Sequence, residues 1–258
     1  MTELLEHFMR LRGEGRKLLV PYVMGGIPDR FTFADALHAV ETDADAVEVG
    51  LPFSDPLMDG PVIAAAGERA IAAGVGPLDA MAASGGVQKS CPRIAMTYYN
   101  PIHRVGEEAF CRRAVEAHFD GVIVPDIPLE ESATLRMSAA RTGLAWIPLV
   151  APTSPAERVT KLVASATGFV YAVSTLGVTG ARASLSERAA LVVSACRQAT
   201  DLPILVGIGV STAEQAVEAT QSADGVVIGT TVVDLILERG AAAARDFLSS
   251  VRAALDRA

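Results

Sequence analysis

The chain has 258 residues, half of them hydrophobic and only 20% charged, which is enough apolar sequence for a large core and excludes a chain disordered throughout. Its net charge of −8 speaks against a broad nucleic-acid footprint, which draws on clustered Lys and Arg. Cys91, Cys111 and Cys196 are odd in number and form no CxxC pair, so buried thiols in a reducing compartment are expected, with no disulfide framework or zinc site.

In chain order, "MTELLEHFMRLRGEGRK" is amphipathic, lacks the apolar stretch of a signal peptide, and reads as an extra helix to about residue 13. Short apolar runs then recur at 18–26, 46–52, 93–99, 121–126, 145–152, 168–174, 203–210 and 225–230, rich in Val and Ile and ended by Gly, Pro, Asp or Ser. These are eight strand candidates. Between them lie segments of helical period such as "EEAFCRRAVEAH", "LEESATLRMSAAR", "SPAERVTKLVAS" and "STAEQAVEATQ", two of them with Ser or Thr where an N-cap would sit. Two helical segments, within 60–74 and 77–86, follow the second strand, so one helix there is extra. No run reaches the roughly 18 apolar residues that cross a bilayer, and a cytoplasmic location with no membrane role is expected.

Crossover helices imply parallel strands buried on both faces. Eight such units in a chain of this length predict an α/β protein built as a single (β/α)8 barrel domain over residues 1–258, with the two extra helices. A Rossmann sheet is disfavoured because no GxGxxG follows the first strand.

In such a barrel the chemistry sits where the strands end at their C-terminal side. Strand alternation in "AVEVGLP" sends Val47, Val49 and Leu51 toward the helices and Ala46 and Glu48 into the barrel. A carboxylate there is costly unless it is paired or functional, and burial would raise its pKa into the range of a general acid or base. A structural ion pair with a loop arginine is the other reading. Asp59, in "MDGP", is either a second site carboxylate or ordinary Asp-Gly turn chemistry.

The residue types missing from the strand ends narrow the reaction. Lys17 and Lys89 precede strands and Lys161 lies in a helix, so none is placed for a Schiff base. His7, His38 and His118 fall on helical segments and only His103 in a catalytic-face loop, a poor basis for a metal centre. Carboxylate acid–base chemistry without a metal or covalent intermediate is left. Strands seven and eight end in "GIGVS" and "IGTTVV", which offer Gly209, Ser211, Gly229 and Thr230 as donors to a phosphate. Alternatively these glycines merely end strands, with Ser211 and Thr230 as N-caps. "STLGVTGARAS" (174–184) is long enough for a lid.

Taken together, "EVGLPFSDPLMDGP", "MTYYNP", "VPDIPLEE" and "GFVYAVSTLGVTG" resemble, in order and over the whole chain, the α subunit family of tryptophan synthase. The resemblance implies retro-aldol cleavage of indole-3-glycerol phosphate to indole and glyceraldehyde 3-phosphate. It implies Glu48 as acid/base, Asp59 on the indole N–H, Tyr22, Tyr98 and Tyr171 around the substrate, and Thr179, Gly180, Gly209, Ser211, Gly229 and Thr230 toward its phosphate. It also implies no cofactor in this chain and a pyridoxal-phosphate β subunit docking on the loop Ser54 to Asp59 in a heterotetramer. This sequence departs from the family pattern at Met24, Met58, Ala64 and Thr230. The alternatives are a stand-alone lyase that releases free indole, another phosphate-binding barrel enzyme, or a catalytically weak allosteric partner of a β subunit.

Overall fold

The computed structural model describes residues 1–173, 185–207 and 209–258. It contains β1 (Leu18–Met24), β2 (Val47–Gly50), β3 (Arg93–Met96), β4 (Gly121–Ile123), β5 (Ala145–Trp146), β6 (Leu149–Val150), β7 (Val170–Val173), β8 (Ile204–Gly207) and β9 (Gly225–Ile228). All pairings are parallel, and the order around the sheet is β5-β4-β3-β2-β1-β9-β8-β7-β6.

The two ends of that order are consecutive pieces of one segment, so the sheet closes into the expected (β/α)8 barrel. The fifth predicted strand is divided because Pro148 has no N–H to give a ladder. Ile147 N–H still reaches the Val122 carbonyl at 3.2 Å on one side, and the Pro148 carbonyl accepts Tyr171 N–H at 3.1 Å on the other. Eight expected strands therefore become nine without a change of topology.

Two apolar layers follow from the alternation. Leu18, Val20, Ala46, Ile94, Ile123, Ile147, Phe169, Leu205 and Val227 fill the barrel interior. The first helix, α1 (Glu3–Gly13), seals its N-terminal end with Leu4, Phe8 and Leu11, and Phe8 lies 5.5 Å from Phe169. Val47, Val49 and Leu51 face outward, in one cluster with Phe33, Leu37 and Val40 of α2 (Phe33–Glu41). Both expected helices after β2 are present, α3 (Pro61–Ala72) and α4 (Pro77–Gly85). A short unexpected helix, α5 (Tyr99–Val105), precedes α6 (Glu107–Glu116) and carries His103, which is thus not in a loop.

The remaining helices are α7 (Ala133–Thr142), α8 (Ala156–Ser165), α9 (Leu185–Arg197), α10 (Ala213–Thr220), α11 (Thr230–Arg239) and α12 (Ala241–Leu255). Their caps differ from the sequence reading. Pro155, not Ser154, is the N-cap of α8, and Thr212, not Ser211, caps α10 by accepting Gln215 N–H at 3.3 Å. Gly229 is the N-cap of α11 and Thr230 its first residue.

The N-terminal face is held by ionic clamps. Asp45, Asp120 and Asp224, each just before a strand, accept the N–H groups of Leu19, Arg93 and Ile204 on the neighbouring strands at 2.7–2.8 Å. Arg93, with no exposed side-chain surface, pairs with equally buried Glu41 at 2.5 Å. This is the end of a barrel where side chains serve stability. Among the described residues, no helix is long and apolar enough to cross a membrane.

Candidate functional site

Glu48 is buried, 1% exposed, in register with Tyr22 on β1 and Ile94 on β3. Its Oε1 has no hydrogen-bond partner, and among the described residues no arginine or lysine pairs with it, which removes the ion-pair reading as far as those residues go. Burial alone pushes its carboxyl up to about 8, because a lone charge is penalised in a low-dielectric interior. At neutral pH Glu48 is therefore a neutral acid with a proton to give.

Asp59 takes the turn that the sequence allowed. It sits in a turn, its N–H bonded to the Pro56 carbonyl at 3.1 Å, and its carboxyl is half-buried beneath that turn. Burial raises it to about 6, against a hydrogen bond from the Tyr98 hydroxyl that lowers it. The same hydroxyl accepts the Met58 N–H at 3.0 Å, and the Tyr98 ring stacks on Phe53 at 5.2 Å. Tyr98 thus pins both ends of the β2–α3 loop over the barrel mouth.

Tyr22 is near both acids, in register with Glu48 and lining the same pocket as Asp59. Burial raises its phenol well above the ordinary value, and the charges of Asp59 and Glu48 add to this, so both carboxylates act on one hydroxyl. Gly50 makes room for it, since a methyl group at residue 50 would fall 1.8 Å from the Tyr22 hydroxyl. Tyr171, on the far side, is raised by burial and then by Glu48, and its ring lies over Gly207 with the hydroxyl 2.7 Å from where a Cβ would stand. Three phenols and two carboxyls converge here, with pKa values pushed apart in the manner that assigns one acid and one anion.

A narrow pocket beside Asp59 is lined by Tyr22, Met24, Phe53, Ala64, Thr97 and Tyr98, among others, and leaves about 10 Å³ for a water-sized sphere. A larger groove of about 640 Å³ opens at the opposite end of the barrel. Its charged pair, Lys89 and Asp120, is already closed on itself at 2.6 Å.

At the other side of the mouth, Gly209 is exposed with φ +71, a conformation that favours glycine. Thr231 Oγ1 donates to the Val210 carbonyl at 2.7 Å, which ties this turn to the start of α11, where Gly229 and the exposed Thr230 stand. The first amides of a helix have no intrahelical acceptor and suit an anion. Ser211 is engaged elsewhere, its N–H and hydroxyl both donating to Gln215 Oε1 at 2.8 and 2.9 Å. Thr179, Gly180 and the proposed lid at 174–184 lie outside the described residues.

The sequence reading missed Gly50, Phe53 and Thr97. A glycine two residues after an inward glutamate was a legible signal for an inward gap. Thr97 gave none, because its place beside Asp59 depends on the path of the β2–α3 loop.

Comparison with known proteins points to a family. The family model described as tryptophan synthase alpha chain matches residues 8–255. A tryptophan synthase alpha chain from Carboxydothermus hydrogenoformans is 44% identical over 242 residues, covering 92% of this chain and 90% of that one. One from Synechococcus elongatus is 42% identical and covers 100% and 98%. Among solved structures, tryptophan synthase from M. tuberculosis in its aminoacrylate-bound form superposes with a TM-score of 0.90 at 33% identity, covering 99% of this chain and 100% of that one. The alpha subunit from Legionella pneumophila gives 0.90 at 31% identity with full coverage of both chains.

Proposed function

The chain belongs to the tryptophan synthase alpha chain family, and from that premise we propose that it cleaves indole-3-glycerol phosphate to indole and glyceraldehyde 3-phosphate with Glu48 and Asp59. The observation that carries the assignment of roles is the split between the two carboxyls, about 8 and about 6. Between those values Glu48 holds a proton while Asp59 is an anion.

Glu48 gives its proton to indole C3, which turns the ring into an indolenine with a positively charged N–H. Asp59 accepts a hydrogen bond from that N–H and stabilises the charge as it develops. Loss of the proton from the adjacent glycerol hydroxyl, taken by the now anionic Glu48, breaks the C3–C bond. Its electrons return to the ring, leaving indole and the aldehyde. The indolenine is the electron sink, so the step asks for neither a lysine imine nor a cofactor.

The phosphate is held by amides around Gly209, Gly229 and Thr230, and by Thr179 and Gly180 of the lid. Ser211 joins only after leaving Gln215. Tyr22, Tyr98 and Tyr171 enclose the ring. Because the pocket is tight, the ring enters only as Met24 or the β2–α3 loop yields.

The chain works as one domain over residues 1–258, in the cytoplasm, with a β subunit docked on the loop Ser54 to Asp59. Leu57, 91% exposed, and Met58, 48% exposed, support that contact, since exposed apolar side chains at the rim of a site are what a partner buries. The test is release of glyceraldehyde 3-phosphate by the purified chain with and without a tryptophan synthase β subunit. Strong stimulation is expected. High activity that ignores the β subunit would instead make the chain a stand-alone lyase, and no activity in either condition would overturn the proposal.

A further inference from the structure

The pocket next to Asp59 contains one polar group that the reaction does not use. Thr97 is 1% exposed and its Oγ1 is buried with no hydrogen-bond partner. Tyr22, Asp59 and Tyr98 line the same pocket but none of them bonds it, and its other neighbours there include Met24, Ala64, Gly67 and Met96, whose side chains offer it no strong partner. A buried hydroxyl without a partner is costly, and in native proteins nearly all such groups are satisfied by protein, water or ligand. An unsubstituted indole has a single polar atom, the N–H that Asp59 takes, so it gives Thr97 nothing.

Room for more than the bare ring opens on the α3 side only as Met24 moves away. Ala64 presents only a methyl, and above Gly67 the nearest heavy atom to an added Cβ is the terminal methyl of Met24 at 3.4 Å. Met24 is flexible and adaptable, and its sulfur has only a weak contact, 3.9 Å from the Tyr22 hydroxyl.

Resting on the function proposed above, we propose that Thr97 is a specificity-determining residue. It lets the site take indole-3-glycerol phosphates whose benzene ring carries a hydrogen-bonding substituent, such as a hydroxyl group, in the space vacated by Met24.

The test uses the full chain in the condensing direction, with glyceraldehyde 3-phosphate and either indole, the four benzene-ring hydroxyindoles, or the methylindoles of the same positions. The quantity read is the ratio of kcat/KM for each hydroxyindole to that for its methyl isostere. For at least one ring position the wild-type ratio is expected to exceed one. It should fall roughly tenfold in Thr97→Val, the weight of about one net hydrogen bond, and survive in Thr97→Ser. Thr97→Ala serves in place of Thr97→Val if the latter fails to fold. Equal ratios in wild type and the hydroxyl-less variants would overturn the inference while leaving the parent function intact. Failure of indole itself to condense would overturn both.

Discussion

Replacing Glu48 by Gln should remove activity and, above pH 5, add stability in a pH-dependent manner. Burial pushes this carboxyl from 4.5 to about 8, so between those values the folded chain must hold a proton that the unfolded chain has released. A group whose pKa is raised on folding gives its full stability below the unfolded value and loses it as pH rises through the folded one. At about 1.36 kcal/mol per pH unit, the wild type should lose about 3 kcal/mol relative to the variant between pH 5 and 7.5. For a domain of this size that is roughly 6–12 °C in Tm. Any fixed cost of burying the amide is the same at every pH and cancels in the comparison. Thermal unfolding of both proteins at constant ionic strength from pH 5 to 7.5 reads the difference directly. A Tm difference that stays flat with pH would refute the reasoning, since Glu48 would then be ionised in the folded protein.

Tyr98→Phe removes the hydroxyl that lowers Asp59, so the acidic limb of the kcat/KM profile, expected near 6, should move up by about one unit while the basic limb near 8 stays; an unmoved acidic limb in the measured profile would detach Asp59 from it. Glu41→Gln strands the buried Arg93 at the N-terminal face and should cost about 3–5 kcal/mol. Denaturant titration should show that loss with kcat unaffected, because the Arg93 side chain leaves its strand toward the helices, where it also bonds the Ser84 and Val87 carbonyls, while Glu48 points into the barrel. Leu57→Asp should weaken stimulation by the β subunit at least about tenfold, an interface effect of the size of one lost anchor. In the coupled assay that loss should be larger than any change in the isolated chain's turnover.

The inward path of Glu48 was legible because a period of two leaves no choice once Val47 and Val49 are assigned to the helix layer, where both are found. The tight turn at Asp59 was legible as turn chemistry, but not its depth, which comes from Tyr98 arriving on another strand. Pro148 stood in plain view within "AWIPLV", yet its effect depends on which carbonyls flank it in the closed sheet. The clamps at Asp45, Asp120 and Asp224 resemble ordinary pre-strand turn residues, and only the register reveals that each serves a neighbour's N–H. Adjacent candidates also defeat one-residue precision, as at Ser211 and Thr212, where the cap fell to the second. Local periodicity therefore carried the layers and the first carboxylate, and cross-strand proximity carried the rest of the site.

The central claim is that a buried, neutral Glu48 supplies the proton for cleavage. It is tested most directly by steady-state release of glyceraldehyde 3-phosphate from indole-3-glycerol phosphate by wild type and Glu48→Gln, alongside binding of glycerol 3-phosphate to each. The account predicts a loss of about 10²–10⁴ in turnover with glycerol 3-phosphate binding within about twofold, a change below 1 kcal/mol. Turnover retained in the variant would contradict it, and loss of turnover and binding together would mean that Glu48 holds the fold rather than the proton.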